Sequence, residues 1–170
     1  FKQHLLSLKR EGIITHLGVS LYTNDQIEKI LKFDEITLIQ IPYNLLDNEN
    51  KRGDIIKKAK QRGIEIHARS IFLQGLFFKN PYELPEKIKS LTPYLKTLIG
   101  LCGEQNKICD VALGYVCNND KIDKVLIGVD NIEHLKQNLV SEKLTLHKNL
   151  INEIRQVNVD EIHLLNPTNW

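Results

Sequence analysis

The three cysteines are the residues whose spacing tests most directly for chemistry. Cys102, Cys109 and Cys117 stand seven and eight residues apart, which fits one face of a helix or of two consecutive helices. No Cys-x-x-Cys pair occurs, so the pattern does not support zinc, and small buried apolar side chains are the expected role. No Gly-x-Gly-x-x-Gly or Gly-x-x-x-x-Gly-Lys-Ser/Thr run follows a candidate strand, which argues against a Rossmann or P-loop phosphate cradle. Ser20 closes one apolar run and Arg69-Ser70 follow another. A serine there has an ordinary structural use as a helix cap, and an arginine as one half of a surface ion pair.

These residues must be positioned by elements that repeat in a simple rhythm, a helical pattern followed by a short apolar run. Residues 2–11 read as a helix stopped by Gly12, and 13–20 as a strand. Thr23 or Asn24 caps a helix with Ile27, Ile30 and Leu31 at helical spacing. Residues 37–41 read as a second strand ended by Pro42, and 43–52 as a polar loop. A third helix over 54–62 closes at Gly63. The third strand, 64–68, alternates Ile64, Ile66 and Ala68 against Glu65, His67 and Arg69. A glycine- and aromatic-containing stretch over 70–85 precedes mostly helical sequence from 86 to 117. A fourth strand over 124–128, helices over 132–138 and 146–157, and an irregular tail complete the chain. Strands separated by helices imply βαβ crossovers and a parallel sheet, hence the α/β class.

Composition narrows the function classes. Apolar residues make up 42% and charged residues 26%, ordinary for a globular domain, and 170 residues suffice for one core. The net charge of +2 gives no case for nucleic acid or a membrane surface as partner. No apolar run approaches the roughly 20 residues that span a bilayer, and the opening does not read as a signal peptide, so a cytoplasmic protein is expected. The chain holds no Met and opens on Phe1. Initiator Met is normally removed only before a small residue, so Phe1 is expected not to be the native start.

Several strand ends resemble the aldo-keto reductase family in order and spacing. Leu8-Lys9-Arg10-Glu11-Gly12-Ile13 through Leu17-Gly18-Val19-Ser20 is similar to the family's fourth helix and fifth strand. Ile39-Gln40-Ile41-Pro42-Tyr43-Asn44 resembles its sixth strand. Ala68-Arg69-Ser70 with Leu73-Gln74-Gly75-Leu76 resembles the seventh strand and its long loop. Leu126-Ile127-Gly128-Val129 through Leu135-Lys136-Gln137-Asn138 resembles the eighth strand and its helix. Asn166-Pro167-Thr168-Asn169-Trp170 resembles an ending seen in bacterial polysaccharide-locus members. The match covers nearly the whole chain. It implies the C-terminal half of a (β/α)8 barrel, with residues 1–170 forming a single partial-barrel domain.

The resemblance also implies site residues at the C-terminal ends of the strands, where barrel enzymes hold their ligands. Ser20 and Gln40 take the positions that hydrogen-bond a nicotinamide carboxamide. A hydroxyl and an amide supply the donor and the acceptor that this group needs. Arg69 stands where the family often stacks an aromatic residue on the nicotinamide, and a guanidinium can also stack or contact a phosphate. Ser70 and the backbone of Leu73 to Gly75 match the pyrophosphate loop. Gly128 to Asn131 lead into a helix whose N–H groups would face a phosphate. Gln137 and Asn138 match the adenine edge. NADP(H) is the implied cofactor. NAD(H) stays open, because Gly128, Val129 and His134 stand where members that read the 2′-phosphate often place Lys-Ser and a later Arg.

The family's usual asparagine after Gly-Val-Ser is Leu21 here. Its catalytic Asp, Tyr, Lys and His belong to units before the fifth strand, so none is expected within this chain. His4 lies on the opening helix and His16 inside a strand. Tyr22 and Tyr43 lie near the rim without a Lys–Asp constellation to lower a tyrosine pKa, so packing is expected of them. Two readings follow. One is the cofactor-binding half of an NAD(P)H-dependent reductase of a small carbonyl substrate. The other is a non-catalytic interaction domain that dimerises through open barrel edges.

Overall fold

The computed structural model describes residues 2–170, with the side chain of Lys2 left out. Helix α1 (Lys2–Arg10) ends at Gly12, whose φ of 74° is the left-handed conformation that glycine adopts without strain. Strand β1 (Gly18–Ser20), helix α2 (Asn24–Ile30), strand β2 (Leu38–Pro42), helix α3 (Glu49–Gln61) and strand β3 (Glu65–Arg69) then alternate. Helices α4 (Thr92–Cys102) and α5 (Ile108–Cys117) precede strand β4 (Lys124–Val125), and α6 (Ile132–Ser141) and α7 (Lys148–Gln156) follow it. The sheet runs β1-β2-β3-β4 with every pair parallel, as the alternation of strands and helices requires.

Register fixes what each face carries. Ser20 pairs with Gln40, Gln40 with His67, and His67 with Lys124. In a parallel sheet paired residues share a face. Gly18, Ser20, Leu38, Gln40, Glu65, His67 and Arg69 therefore lie on one side. Ile39, Ile41, Ile66 and Ala68, all fully buried, lie on the other, in one core with Ile27, Ile56 and Ala59 of the helices. Parallel strands usually need both faces covered. Here the helices cover one, and the polar face is the inner side of a partial barrel wall.

The outer strands are shorter than their apolar runs suggest. Residues 13–17 lie outside β1 and 126–128 outside β4, although the backbone pairing runs one residue further in each case. The Thr37 N–H donates to the Leu17 carbonyl at 3.0 Å, and the Leu126 N–H to the Ala68 carbonyl at 2.8 Å. Each outer strand has a neighbour on one side only.

The segment 43–48, read from sequence as polar loop, is entirely buried. Asn44 makes this possible: its Oδ1 accepts the N–H groups of Leu46 and Asp47, both at 2.9 Å, and its Nδ2 donates to the Ser70 carbonyl at 3.0 Å. Asn48 then caps α3, accepting the Asn50 N–H at 3.1 Å, so the helix starts at Glu49 rather than at Asp54. The Asn48 Nδ2 also donates to the carbonyls of Ile154 and Val157, which ties the end of α7 to the start of α3. These bonds satisfy backbone groups that would otherwise be costly to bury.

Candidate functional site

The end of β1 and the middle of β2 bring Ser20 and Gln40 together. The Ser20 hydroxyl donates to Gln40 Oε1 at 3.3 Å on the open face of the sheet. Ser20 does not cap α2. That role belongs to Thr23, whose Oγ1 accepts the Gln26 N–H while the Gln26 side chain accepts the Thr23 N–H in return, a capping box. The Gln40 amide N–H groups have no partner among the described residues, and the serine oxygen keeps acceptor capacity. The pair therefore presents a donor and an acceptor side by side.

Arg69 closes β3. Its Nη1 donates to Ser70 Oγ at 3.1 Å and its Nη2 to the Leu21 carbonyl at 3.4 Å, while the buried Nε has no partner. The guanidinium lies 4.1 Å from the centroid of the Tyr22 ring. No carboxylate pairs with Arg69 among the described residues, so the surface ion pair open to it from sequence is not formed. Tyr22 packs at the rim as expected, and its role as the platform under Arg69 was not legible in the sequence. Tyr43 is buried. Its hydroxyl donates to Glu49 Oε2 at 2.9 Å and its ring stacks on Tyr115 with centroids 5.7 Å apart. Burial, then the neighbouring Tyr115 and Glu49, pushes the Tyr43 hydroxyl well above the ordinary tyrosine range. It is held protonated and packed.

After Arg69 the backbone turns through Ser70, Leu73, Gln74 and Gly75, all with positive φ. Such a run is costly for residues other than glycine, and it folds the loop back on itself. This loop, the segment 126–130 and the first turns of α6 enclose a cleft of about 750 Å³. Arg69, Ser70, Gly75, Gly128, Gln137 and Asn138 all line it. Leu73 does not: its side chain is fully buried and its N–H bonds the Ser70 carbonyl at 2.9 Å. Asn131 is also absent from the wall. Its Oδ1 caps α6 by accepting the His134 N–H at 2.8 Å. The remaining first-turn N–H groups lack intrahelical partners. Gln137 Nε2 donates to Asp110 at 3.3 Å, and the Ser141 hydroxyl to the same carboxylate at 2.5 Å.

The rim is held by a buried ionic network that the sequence reading missed. Arg52 grips Asp47 in a two-pronged pair, Nε to Oδ1 at 2.7 Å and Nη2 to Oδ2 at 2.6 Å. It also donates to Asn24 Oδ1 and to the Tyr22 carbonyl, both at 2.7 Å. The loop carrying Tyr22 is thereby fixed to the loop that begins α3. A long charged side chain inside a stretch read as polar loop gave no signal of this. The cysteines follow their expectation: Cys109 is buried and the other two are half-buried, and burial raises Cys102 to about 11 and Cys109 to about 12. No group of His, Cys, Asp and Glu able to hold a metal occurs among the described residues. No described helix is long and apolar enough to cross a membrane.

A parallel βα half-wall with polar side chains gathered at its C-terminal rim matches part of a (β/α)8 barrel, a fold that carries many different chemistries, and sequence comparison narrows the family. The Aldo/keto reductase family model matches residues 2–159, and the chain belongs to that family. It is similar to an uncharacterized oxidoreductase of Schizosaccharomyces pombe, 21% identical over 142 residues, covering 84% of this chain and 42% of that one. Among solved structures it resembles the holo form of an aldo-keto reductase from Bacillus halodurans, with a TM-score of 0.72 and 21% identity, covering 92% of this chain and 56% of that one. It also resembles a thermostable aldo-keto reductase in complex with the inhibitor epalrestat, with a TM-score of 0.66 and 22% identity, covering 90% and 52%. At these identities the structural likeness establishes the fold. The chain spans about half the length of the solved relatives it matches.

Proposed function

We propose that this chain, a single partial-barrel unit, is the cofactor-binding part of an NAD(P)H-dependent oxidoreductase that reduces a carbonyl compound. The observation that carries the reading is Arg69. It is an arginine with no carboxylate partner among the described residues, in the wall of the cleft, between a tightly turned loop and a helix N-terminus. An uncompensated guanidinium in a concave site suits an anionic ligand, and a dinucleotide pyrophosphate is one.

The cofactor, when bound, supplies the hydride. The residues of this chain bind and orient it. Ser20 and Gln40 offer the donor and acceptor that a carboxamide needs, which sets the face that the ring presents. Arg69, stacked on Tyr22, contributes charge and a flat surface. Ser70, the backbone of Gln74 and Gly75, and Gly128 with the free N–H groups at the start of α6 take the pyrophosphate, with Gly75 allowing close backbone approach. Gln137 and Asn138 stand at the adenine edge. The proton that carbonyl reduction requires comes, in this reading, from a group other than Tyr43, whose hydroxyl is buried against Glu49 and Tyr115 and does not line the cleft. Calorimetric titration with NADH and NADPH tests the reading. Saturable binding of at least one, weakened tenfold or more by Arg69→Ala, supports it. No binding of either by the full-length protein refutes it.

A second reading concerns partnership. Ile132, Leu139 and Val140 of α6 are 56%, 54% and 74% exposed, and β4 is paired on one side only. Such a face favours association. A second copy of the chain is the occupant that light scattering tests. A clean monomer at micromolar concentration counts against it.

A further inference from the structure

We infer that the cleft selects NAD(H) over NADP(H), and that Asp130 is the selecting residue. This rests on the cofactor reading above and goes beyond it. The two nucleotides differ only at the adenosine ribose, where one offers a 2′-hydroxyl and the other a phosphate monoester carrying about −1.5 to −2 charge at neutral pH. A site for the phosphate needs fixed positive charge, usually an arginine, whereas a site for the free ribose uses a carboxylate that accepts from its hydroxyls.

The charges around the cleft favour the hydroxyl. Among the described lining residues Arg69 is the only Lys or Arg. It sits at the end of β3 beside Ser70 and Tyr22, where the proposed pyrophosphate and nicotinamide would occupy it. The α6 side of the cleft carries Asp110 and Asp130, and Glu133 stands in the first turn of that helix. Asp110 is already engaged by the Ser141 hydroxyl and the Gln137 amide. The carboxylate of Asp130 is exposed and has no hydrogen-bond donor or cation beside it among the described residues. Its two oxygens are free to accept from two neighbouring hydroxyls. The same full negative charge repels a phosphate monoester. The helix N-terminus offers only about half a positive charge in compensation, and Glu133 offsets it. His134 is the remaining lining side chain able to carry positive charge.

Equilibrium titration of the full-length protein tests the assignment, with NAD+ and NADP+ at pH 8 and with 5′-ADP and 2′,5′-ADP as probes of the adenosine end alone. NAD+ is expected to bind at least tenfold tighter than NADP+, and 5′-ADP tighter than 2′,5′-ADP. Asp130→Asn, an exposed substitution, is expected to shrink the NAD+/NADP+ ratio at least threefold, chiefly by weakening NAD+. NADP+ binding as tightly as NAD+, or a ratio indifferent to Asp130→Asn, overturns the inference and leaves the cofactor site standing. Failure of both dinucleotides to bind overturns the cofactor reading, and this inference with it.

Discussion

Removing the carboxylate of Asp47 should unlock the rim of the site, and its cost follows from the surroundings. The Asp47 and Arg52 side chains are 1% and 6% exposed, and the pair is two-pronged at 2.7 and 2.6 Å. Asp47→Ala leaves the guanidinium buried with only Asn24 and the Tyr22 carbonyl as partners. Breaking a buried pair from one side costs about 3–5 kcal/mol, against a total stability for a domain of about 5–15 kcal/mol. At this chain length that is a fall in melting temperature of about 6–20 °C. Replacing both partners, as Asp47→Leu/Arg52→Met, removes the orphaned charge. The remaining loss is the donors to Asn24 and Tyr22, about 1–2 kcal/mol. Urea denaturation of wild type, both single variants and the double variant measures the coupling directly. A cost below about 1 kcal/mol for Asp47→Ala at unchanged m-value, or a double variant as costly as the two singles summed, would refute this account of what holds the Tyr22 loop.

Ser20→Ala and Gln40→Ala are each expected to weaken nicotinamide binding severalfold while leaving the urea midpoint nearly unchanged; unchanged affinity in both removes them from the site. Glu65 sits beside His67 and Lys124, which lower its carboxyl from 4.5 to about 2, the His67 hydrogen bond contributing most. Its folded pKa is depressed, so its contribution is complete above pH 4.5 and is lost as pH falls towards 2. Glu65→Gln should therefore flatten the acid limb of a stability–pH curve in that window, and an unaltered limb would contradict the assignment. Thiols raised by burial react slowly. Ellman's reagent at pH 7.5 is therefore expected to label Cys102, Cys109 and Cys117 far more slowly in the native protein than in urea, and rapid native labelling of Cys109 would contradict its burial.

Where the sequence could be read, one simple periodicity was at work. Ile64, Ile66 and Ala68 alternate with Glu65, His67 and Arg69 because β3 has an apolar face under the helices and a polar face towards the barrel interior. The parallel order of the sheet followed from the helices between strands. What was not legible depended on long-range pairing. β1 pairs only over Gly18–Ser20 and β4 only over Lys124–Val125, a limit set by the partner strands that no local pattern encodes. The buried segment 43–48 looked like polar loop because Asn44, Asp47 and Asn48 are polar, yet their side chains satisfy the backbone and one another inside the fold. Of the residues expected at the site, six share the cleft wall, and Ser20 and Gln40 meet on adjacent strands. Leu73 is buried beneath the loop and Asn131 is a helix cap, distinctions that spacing alone does not carry.

The central claim is that the cleft between the loop after β3 and the start of α6 holds a nicotinamide dinucleotide. Amide hydrogen exchange of the full-length protein, with and without saturating NADH, tests it most directly. The account predicts new protection concentrated in residues 69–78 and 126–134, with little change in α1 and α7. Protection absent from both segments, or confined to another part of the chain, would contradict it.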